Sequence, residues 1–283
     1  MNRGECLCGT VRYEVDGPIS MMCHCHCSMC RKHHGALFVT FIATPVKQFR
    51  WTAGESNVRT IATSDHGKRA FCITCGSVAP TLMPKIDCAF MPAGNLEGDL
   101  GIKPQNHMFV GSKASWYAIT DNLPQYEKYP PGFDAPDNVR PAVTGRDGFV
   151  LGSCLCGAVV FEIEGTPQRV MNCHCTRCRR ARSAAHGTNV FFKSGQFRWS
   201  RGEQHVADYK LPGARFFATA FCRQCGGELP RVSSERGVAV VPAGSLDTDP
   251  GMPPLAHIFV GSKASWFDIT DRVPQFAELP PSA

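Results

Sequence analysis

No stretch of the 283-residue sequence approaches eighteen uninterrupted apolar residues, so no segment has the makings of a membrane-spanning helix. Met1-Asn2-Arg3-Gly4-Glu5-Cys6 runs straight into polar residues and cysteines without the apolar core of a signal peptide, which makes the cytoplasm the expected compartment. Glycine has no three-residue period and the formal charge is only +6, which excludes collagen-like and disordered chains. A lysine-rich tail and an interleaved basic-aromatic stripe are also missing, so no nucleic-acid partner is expected. What the chain has in excess is cysteine, 16 in all. Disulfides rarely persist in a reducing compartment, so these thiols point to metal ligation or catalysis.

The chain repeats itself. NHMFVGSKASWYAITDNLPQYEKYPP (106–131) matches AHIFVGSKASWFDITDRVPQFAELPP (256–281) at an offset of 150. QFRWTAGE (48–55) matches QFRWSRGE (196–203), and CLCG (6–9) matches CLCG (154–157), both at 148, which places a two-residue gain between Glu203 and Cys222. The expected organisation is a first domain over 1–131, a Pro- and Gly-containing linker over 132–148, and a second domain over 149–283. A pseudo-symmetric pairing of the two within the chain follows from their shared surfaces.

Most of the local signal is strand. TVRYEV, ALFVTFIA, VRTIAT, KRAFCI and CAFMPAG in the first copy, with VVFEIE, NVFF, FFATAFC and VAVVPAG in the second, are short, rich in β-branched and aromatic residues, and bounded by turn formers. Only SMCRKHH (28–34) and TRCRRAR (176–182) suggest a turn or two of helix. The expected class is all-β, mainly strand with short helical turns, and the cysteine clusters on the turns.

Seven cysteine positions recur: Cys6, Cys8, Cys25, Cys27, Cys30, Cys72 and Cys75, then Cys154, Cys156, Cys173, Cys175, Cys178, Cys222 and Cys225. Each copy holds a C-x-C pair, a C-H-C-x-x-C triplet and a C-x-x-C pair followed by Gly76 or Gly226, a residue suited to the positive-φ corner of a zinc knuckle. Joining the two pairs makes a closed four-thiolate site and leaves the triplet with three ligands, the open arrangement of a catalytic zinc. A histidine such as His24, His26 or His174 is the alternative fourth ligand, although a histidine between two ligands is expected to point away. Cys23 and Cys88 have no counterpart. Cys23 is either a spare ligand closing the first triplet or a reduced loop thiol, and Cys88, aligned with Val238, reads as core packing.

These residues resemble the glutathione-dependent formaldehyde-activating enzyme family, which includes centromere protein V. The resemblance rests on CLCGTVRYEV, CHCSMCRKHHGALF, FRWTAGE, RAFCITCGS and HMFVGSKASW, and on CLCGAVVFEI, NCHCTRCRRARSAAHG, FRWSRGE, AFCRQCGGELP and HIFVGSKASW. It implies two tandem zinc-stabilised β-sheet domains, each with a structural four-cysteine zinc and a three-cysteine zinc implicated in catalysis. The structural sets would be Cys6, Cys8, Cys72, Cys75 and Cys154, Cys156, Cys222, Cys225. The catalytic sets would be Cys25, Cys27, Cys30 and Cys173, Cys175, Cys178, for about four Zn2+ per chain. The implied reaction condenses glutathione, or a related thiol, with formaldehyde or another small aldehyde, formally a carbon-sulfur lyase run synthetically. The alternatives are a non-enzymatic zinc scaffold, a carrier of glutathione adducts, and cleavage of another glutathione conjugate.

Arg31, Lys32, Arg179 and Arg180 follow the triplets, as a solvated basic face or as contacts for glutathione carboxylates, with Arg31 and Arg179 the candidates. His107, Lys113 and Trp116 recur as His257, Lys263 and Trp266, and the tryptophans read as core or interface packing. Fourteen thiolates on four Zn2+ would offset the +6 and leave the protein near neutral, so the charge does not argue for a polyanionic partner.

Overall fold

The computed structural model describes residues 1–64, 67–132, 140–141 and 143–281, so residues 133–139 and 142 of the expected linker lie outside the described residues. Each copy is built from three small sheets. In the first copy Asn2–Glu5, Arg12–Val15 and Phe49–Ala53 form one antiparallel sheet, and Val58–Ala62, Lys68–Cys72 and Val78–Ala79 form another. Alternation explains the first: Tyr13 and Val15 are buried while Arg12 is exposed, the period-two pattern of a half-buried strand. The same pattern buries Phe161 and Ile163 in Val160–Glu164 of the second copy.

The central sheet positions the chemistry. Its strand order in the first copy is Gln125–Tyr126, His107–Met108, Met21–Cys25, Val39–Thr44, Cys88–Pro92 and Thr81–Met83. Met21–Cys25 pairs antiparallel with Val39–Thr44 and parallel with His107–Met108, which sets His107 opposite His24. The second copy repeats this with Arg169–Cys173 between Gly187–Lys193 and Ala256–Ile258. MMCHC and RVMNC carry little β-branched sequence; their strand character comes from pairing on both edges rather than from propensity.

The helices α1 (Ser28–His34) and α2 (Thr176–Arg182) follow the central strands and coincide with the two expected segments. Each starts on a triplet cysteine: the Cys27 sulfur accepts from the Cys30 amide at 3.3 Å, and the Cys175 sulfur from the Cys178 amide at 3.4 Å. Among the described residues no helix is long and apolar enough to cross a membrane.

The copies share one hydrophobic core, with Tyr13, Met22, Ile42 and Met91 continuous with Phe161, Val190, Phe192 and Trp266. Their contacts are reciprocal. Phe71 and Phe221 meet with ring centroids 6.3 Å apart, and each ring lies over the other copy's knuckle glycine. A Cβ on Gly76 would sit 2.6 Å from the Phe221 ring, and one on Gly226 2.3 Å from Phe71, so these glycines serve both their φ of 79° and 69° and the contact between copies. Thr120 and Thr270, equivalent by the repeat, bond to each other at 2.5 Å, as residues beside a pseudo-twofold axis do.

Candidate metal centres

The sequence-distant cysteine pairs meet as expected. Cys6, Cys8, Cys72 and Cys75 bring their sulfurs within 4.8 Å of one another, and so do Cys154, Cys156, Cys222 and Cys225. Cys6 and Cys8 sulfurs are 3.3 Å apart and Cys8 and Cys72 3.8 Å; in the second copy Cys154–Cys156 is 3.5 Å and Cys156–Cys222 4.0 Å. A tetrahedral zinc with Zn–S of about 2.3 Å spaces its sulfurs about 3.8 Å apart, so both quartets have the dimensions to hold one. Backbone amides of Val11 and Val159 donate to the Cys6 and Cys154 sulfurs at 3.3 Å, which favours the thiolate a metal requires.

Cys25, Cys27 and Cys30 form a second cluster, and Cys173, Cys175 and Cys178 a fourth; among the described residues neither gains a fourth Cys, His, Asp or Glu ligand. None of the candidate histidines closes a triplet. His24 Nδ1 lies 2.8 Å from Thr40 Oγ1. His26 Nε2 meets His107 Nδ1 at 2.8 Å, and His107 Nε2 lies 3.0 Å from both Asp121 carboxylate oxygens. The second copy has the same chain: His174 Nε2 to His257 Nδ1 at 2.8 Å, then His257 Nε2 to Asp271 at 3.1 and 3.0 Å. Burial holds His26 neutral, pushed down to about 3, and His174 to about 2. The aspartates escaped sequence reasoning, yet a signal was present: ITD recurs with its aspartate at 121 and 271.

The triplets differ in their surroundings. In the first, Cys30 is the thiol pushed well below its ordinary value, chiefly because Cys25 and Cys27 donate to it, with the Arg69 guanidinium adding to the effect. Arg69 Nη1 donates to the Cys30 sulfur at 3.5 Å. In the second the acidic thiol is Cys175, pushed down to about 3 by Cys173 and Cys178. Cys25, Cys27 and Cys30 are buried beneath a cavity of about 1250 Å3, whereas Cys175 and Cys178 are half-buried next to exposed Thr176 and Arg177. Cys23 stands on the central strand rather than a loop, lines that cavity, and lies outside the sulfur cluster. Cys88 is half-buried at the start of its strand and lines the same cavity.

Of the four basic residues after the triplets, two are engaged between the copies. Lys32 bridges to Asp247 at 2.7 Å and donates to the Ser153 and Ser245 carbonyls. Arg180 pairs with Glu5 at 2.6 Å and with Glu97. Arg31 donates to the Ser112 carbonyl at 3.2 Å, and the Nε atoms of both Arg31 and Arg179 are buried without a partner. Trp266 is buried in the core and Trp116 packs against it; Lys263 donates to the Ala264 carbonyl at 3.4 Å.

No curated protein matches the chain. Among solved structures, a Rhodobacter sphaeroides protein is 26% identical over 34% of this chain and 89% of its own, with a TM-score of 0.29. The model of the glutathione-dependent formaldehyde-activating enzyme family matches residues 1–112 and again 149–262, one match per set of seven cysteines, and the chain therefore belongs to that family, with two copies of its domain in tandem.

Proposed function

We propose that this chain is a zinc-dependent enzyme of carbon-sulfur bond chemistry that condenses glutathione, or a related thiol, with formaldehyde or another small aldehyde. The observation that carries the reading is the pair of three-thiolate clusters without a fourth protein ligand among the described residues, beside two four-thiolate clusters that can close on themselves. A zinc ion with an open position supplies thiol acidification, bringing a thiol's pKa down to where the thiolate is present at neutral pH. Three thiolate ligands weaken its Lewis acidity, so the site suits thiol delivery better than carbonyl polarisation.

The chain's own residues do the rest. Cys25, Cys27 and Cys30, and Cys173, Cys175 and Cys178, hold the ion. His26 and His174 face away from it in their hydrogen-bonded chains and leave the open position free. Arg69 offsets part of the negative charge of the first cluster. Arg31 and Arg179, each with an unpartnered buried Nε, are the groups to receive a carboxylate of the thiol substrate. In the reaction the thiol loses its proton, sulfur forms a bond to the carbonyl carbon, and the carbonyl π pair takes up a proton to give an S-hydroxymethyl thioether. Such thiol chemistry suits a reducing compartment such as the cytoplasm.

The test is the rate of S-hydroxymethylglutathione formation followed by NMR against an enzyme-free control, because the reaction also proceeds spontaneously. Acceleration that disappears in the double variant Cys27→Ser, Cys175→Ser supports the reading. Glutathione binding without acceleration assigns a carrier instead, and no binding of glutathione at millimolar concentration sinks both.

A further inference from the structure

The two copies differ in the residues that line the first copy's cavity. Both cysteines without a counterpart line it, Cys23 where the second copy has Met171 and Cys88 where it has Val238. Further lining positions are apolar only in the first copy, among them Phe41, Met83 and Ile86, which stand where the second has Asn189, Ser233 and Arg236. In the second copy Arg182 occupies the equivalent of His34 and extends to Glu228 and, at 3.3 Å, to Asn189 Oδ1. The first copy has Val78 and Phe41 at those partner positions, and His34 packs edge-on against Phe41 at 5.5 Å. Space that an arginine ion pair fills in one copy is thus open and apolar in the other.

At its inner end the cavity presents polar groups that nothing in the protein satisfies. His33 is fully buried, lines the cavity, and has both ring nitrogens unpartnered; its equivalent in the second copy is Ala181. His34 Nδ1 is committed to the Arg182 carbonyl at 2.9 Å, which fixes the proton on that nitrogen and leaves Nε2 as a buried, unpartnered acceptor. Arg69, Thr219 in the second copy, lines the same cavity and donates to the Cys30 sulfur. Buried polar atoms left unpaired cost stability, and retaining them is explained when a ligand supplies the missing bonds. An acceptor, a ring with one donor and one acceptor, and a guanidinium together match a hydroxyl on a carbon next to sulfur, and the apolar walls match a hydrocarbon body.

We propose that the first copy is specialised for an adduct of the thiol with an apolar aldehyde larger than formaldehyde, its carbon chain or ring in the Phe41–Met83–Ile86 cleft and its hydroxyl toward His33 and His34. This rests on the thiol-aldehyde reading of the triplet. At about 1250 Å3 the cavity exceeds the range of about 300–1000 Å3 usual for small-molecule sites, far more than formaldehyde needs.

Calorimetric titration of the zinc-loaded full chain with S-hexylglutathione and S-methylglutathione tests it. The hexyl compound is expected to bind at least about tenfold more tightly, at one per chain, since burying methylenes in an apolar cleft favours the longer chain. Ile86→Arg, at an exposed position, and Phe41→Asn install the second copy's residues and are expected to remove the preference while S-methylglutathione binding persists. Equal affinities, two hexyl sites per chain, a preference that survives Ile86→Arg, or binding of neither compound overturns the proposal. The functional reading fails separately: an alkyl preference without accelerated formaldehyde condensation leaves the cavity assigned and the reaction rejected, and condensation without a preference does the reverse.

Discussion

At the scale of single residues, the histidine inside each C-H-C motif is a support for the strand and not a ligand. His26 stands between two cluster cysteines, yet its bond goes to His107 and onward to Asp121. Asp121→Asn weakens the charge-assisted end of that chain and is expected to cost about 1–3 kcal/mol in chemical denaturation, with zinc content unchanged. A drop in zinc stoichiometry would instead make His26 part of the metal site. This chain of residues was half legible in the sequence: the repeat singled out His107 and His257, but their bond to the C-H-C histidines depends on a parallel strand pairing that no local pattern encodes. The cysteine clusters were legible because short, recurring thiol spacings mark candidate ligand sets, whereas the cavity residues His33 and Arg69 come from a separate helix and strand and carry no spacing signal.

His33 also sets a dependence on pH. Burial holds it well below the ordinary histidine value, so on acidification the unfolded chain takes up its proton before the folded one. The stability tied to a neutral His33 is therefore complete above about pH 6.5 and is lost as pH falls below that ordinary value. His33→Ala, the second copy's residue, is expected to flatten the fall of unfolding free energy below pH 6.5 by up to one proton, about 1.4 kcal/mol per pH unit. Identical slopes for the parent and the variant in denaturation series at several pH values would show that His33 titrates normally.

At the scale of elements, the knuckle turns join a four-cysteine cluster able to hold a metal ion to the contact between copies. Each C-x-x-C-G turn ends on a positive-φ glycine, and the space where its Cβ would stand belongs to a phenylalanine of the other copy. Glycine at these turns was legible as a backbone requirement, but the second demand was not, because Phe71 and Phe221 are ordinary strand residues in sequence. Gly76→Ala meets both penalties at once, the positive φ and a 2.6 Å approach to the Phe221 ring. We expect a loss of about 2 kcal/mol or more. Phe221→Ala in the same background is expected to recover part of it; strictly additive losses in the double-mutant cycle would mean that only the backbone strain matters. The central strands illustrate the opposite case. MMCHC and RVMNC carry little strand propensity and are absent from the expected strands, while SMCRKHH and TRCRRAR, the segments that suggest a turn or two of helix, are α1 and α2.

At the scale of the molecule, the interface between copies contains a buried ion pair that surface reasoning does not anticipate. Lys32 is buried with Asp247 2.7 Å away and the Ser153 and Ser245 carbonyls accepting from it. Burial brings its pKa down to about 7 despite the carboxylate. Removing one partner of such a pair leaves the other charge desolvated, so Lys32→Met is expected to cost about 3 kcal/mol or more. Because one hydrophobic core runs through both copies, that cost falls on the whole chain rather than on one domain. The same continuity predicts the fate of a nicked protein. A protease site inserted within residues 132–148 and cut under native conditions should leave the two fragments co-eluting on a sizing column. They should part only in denaturant or after Lys32→Met and Gly76→Ala are combined. Free separation of the wild-type fragments would mean that each copy completes its own core, and that the Phe71–Phe221 and Lys32–Asp247 contacts contribute little to holding them together.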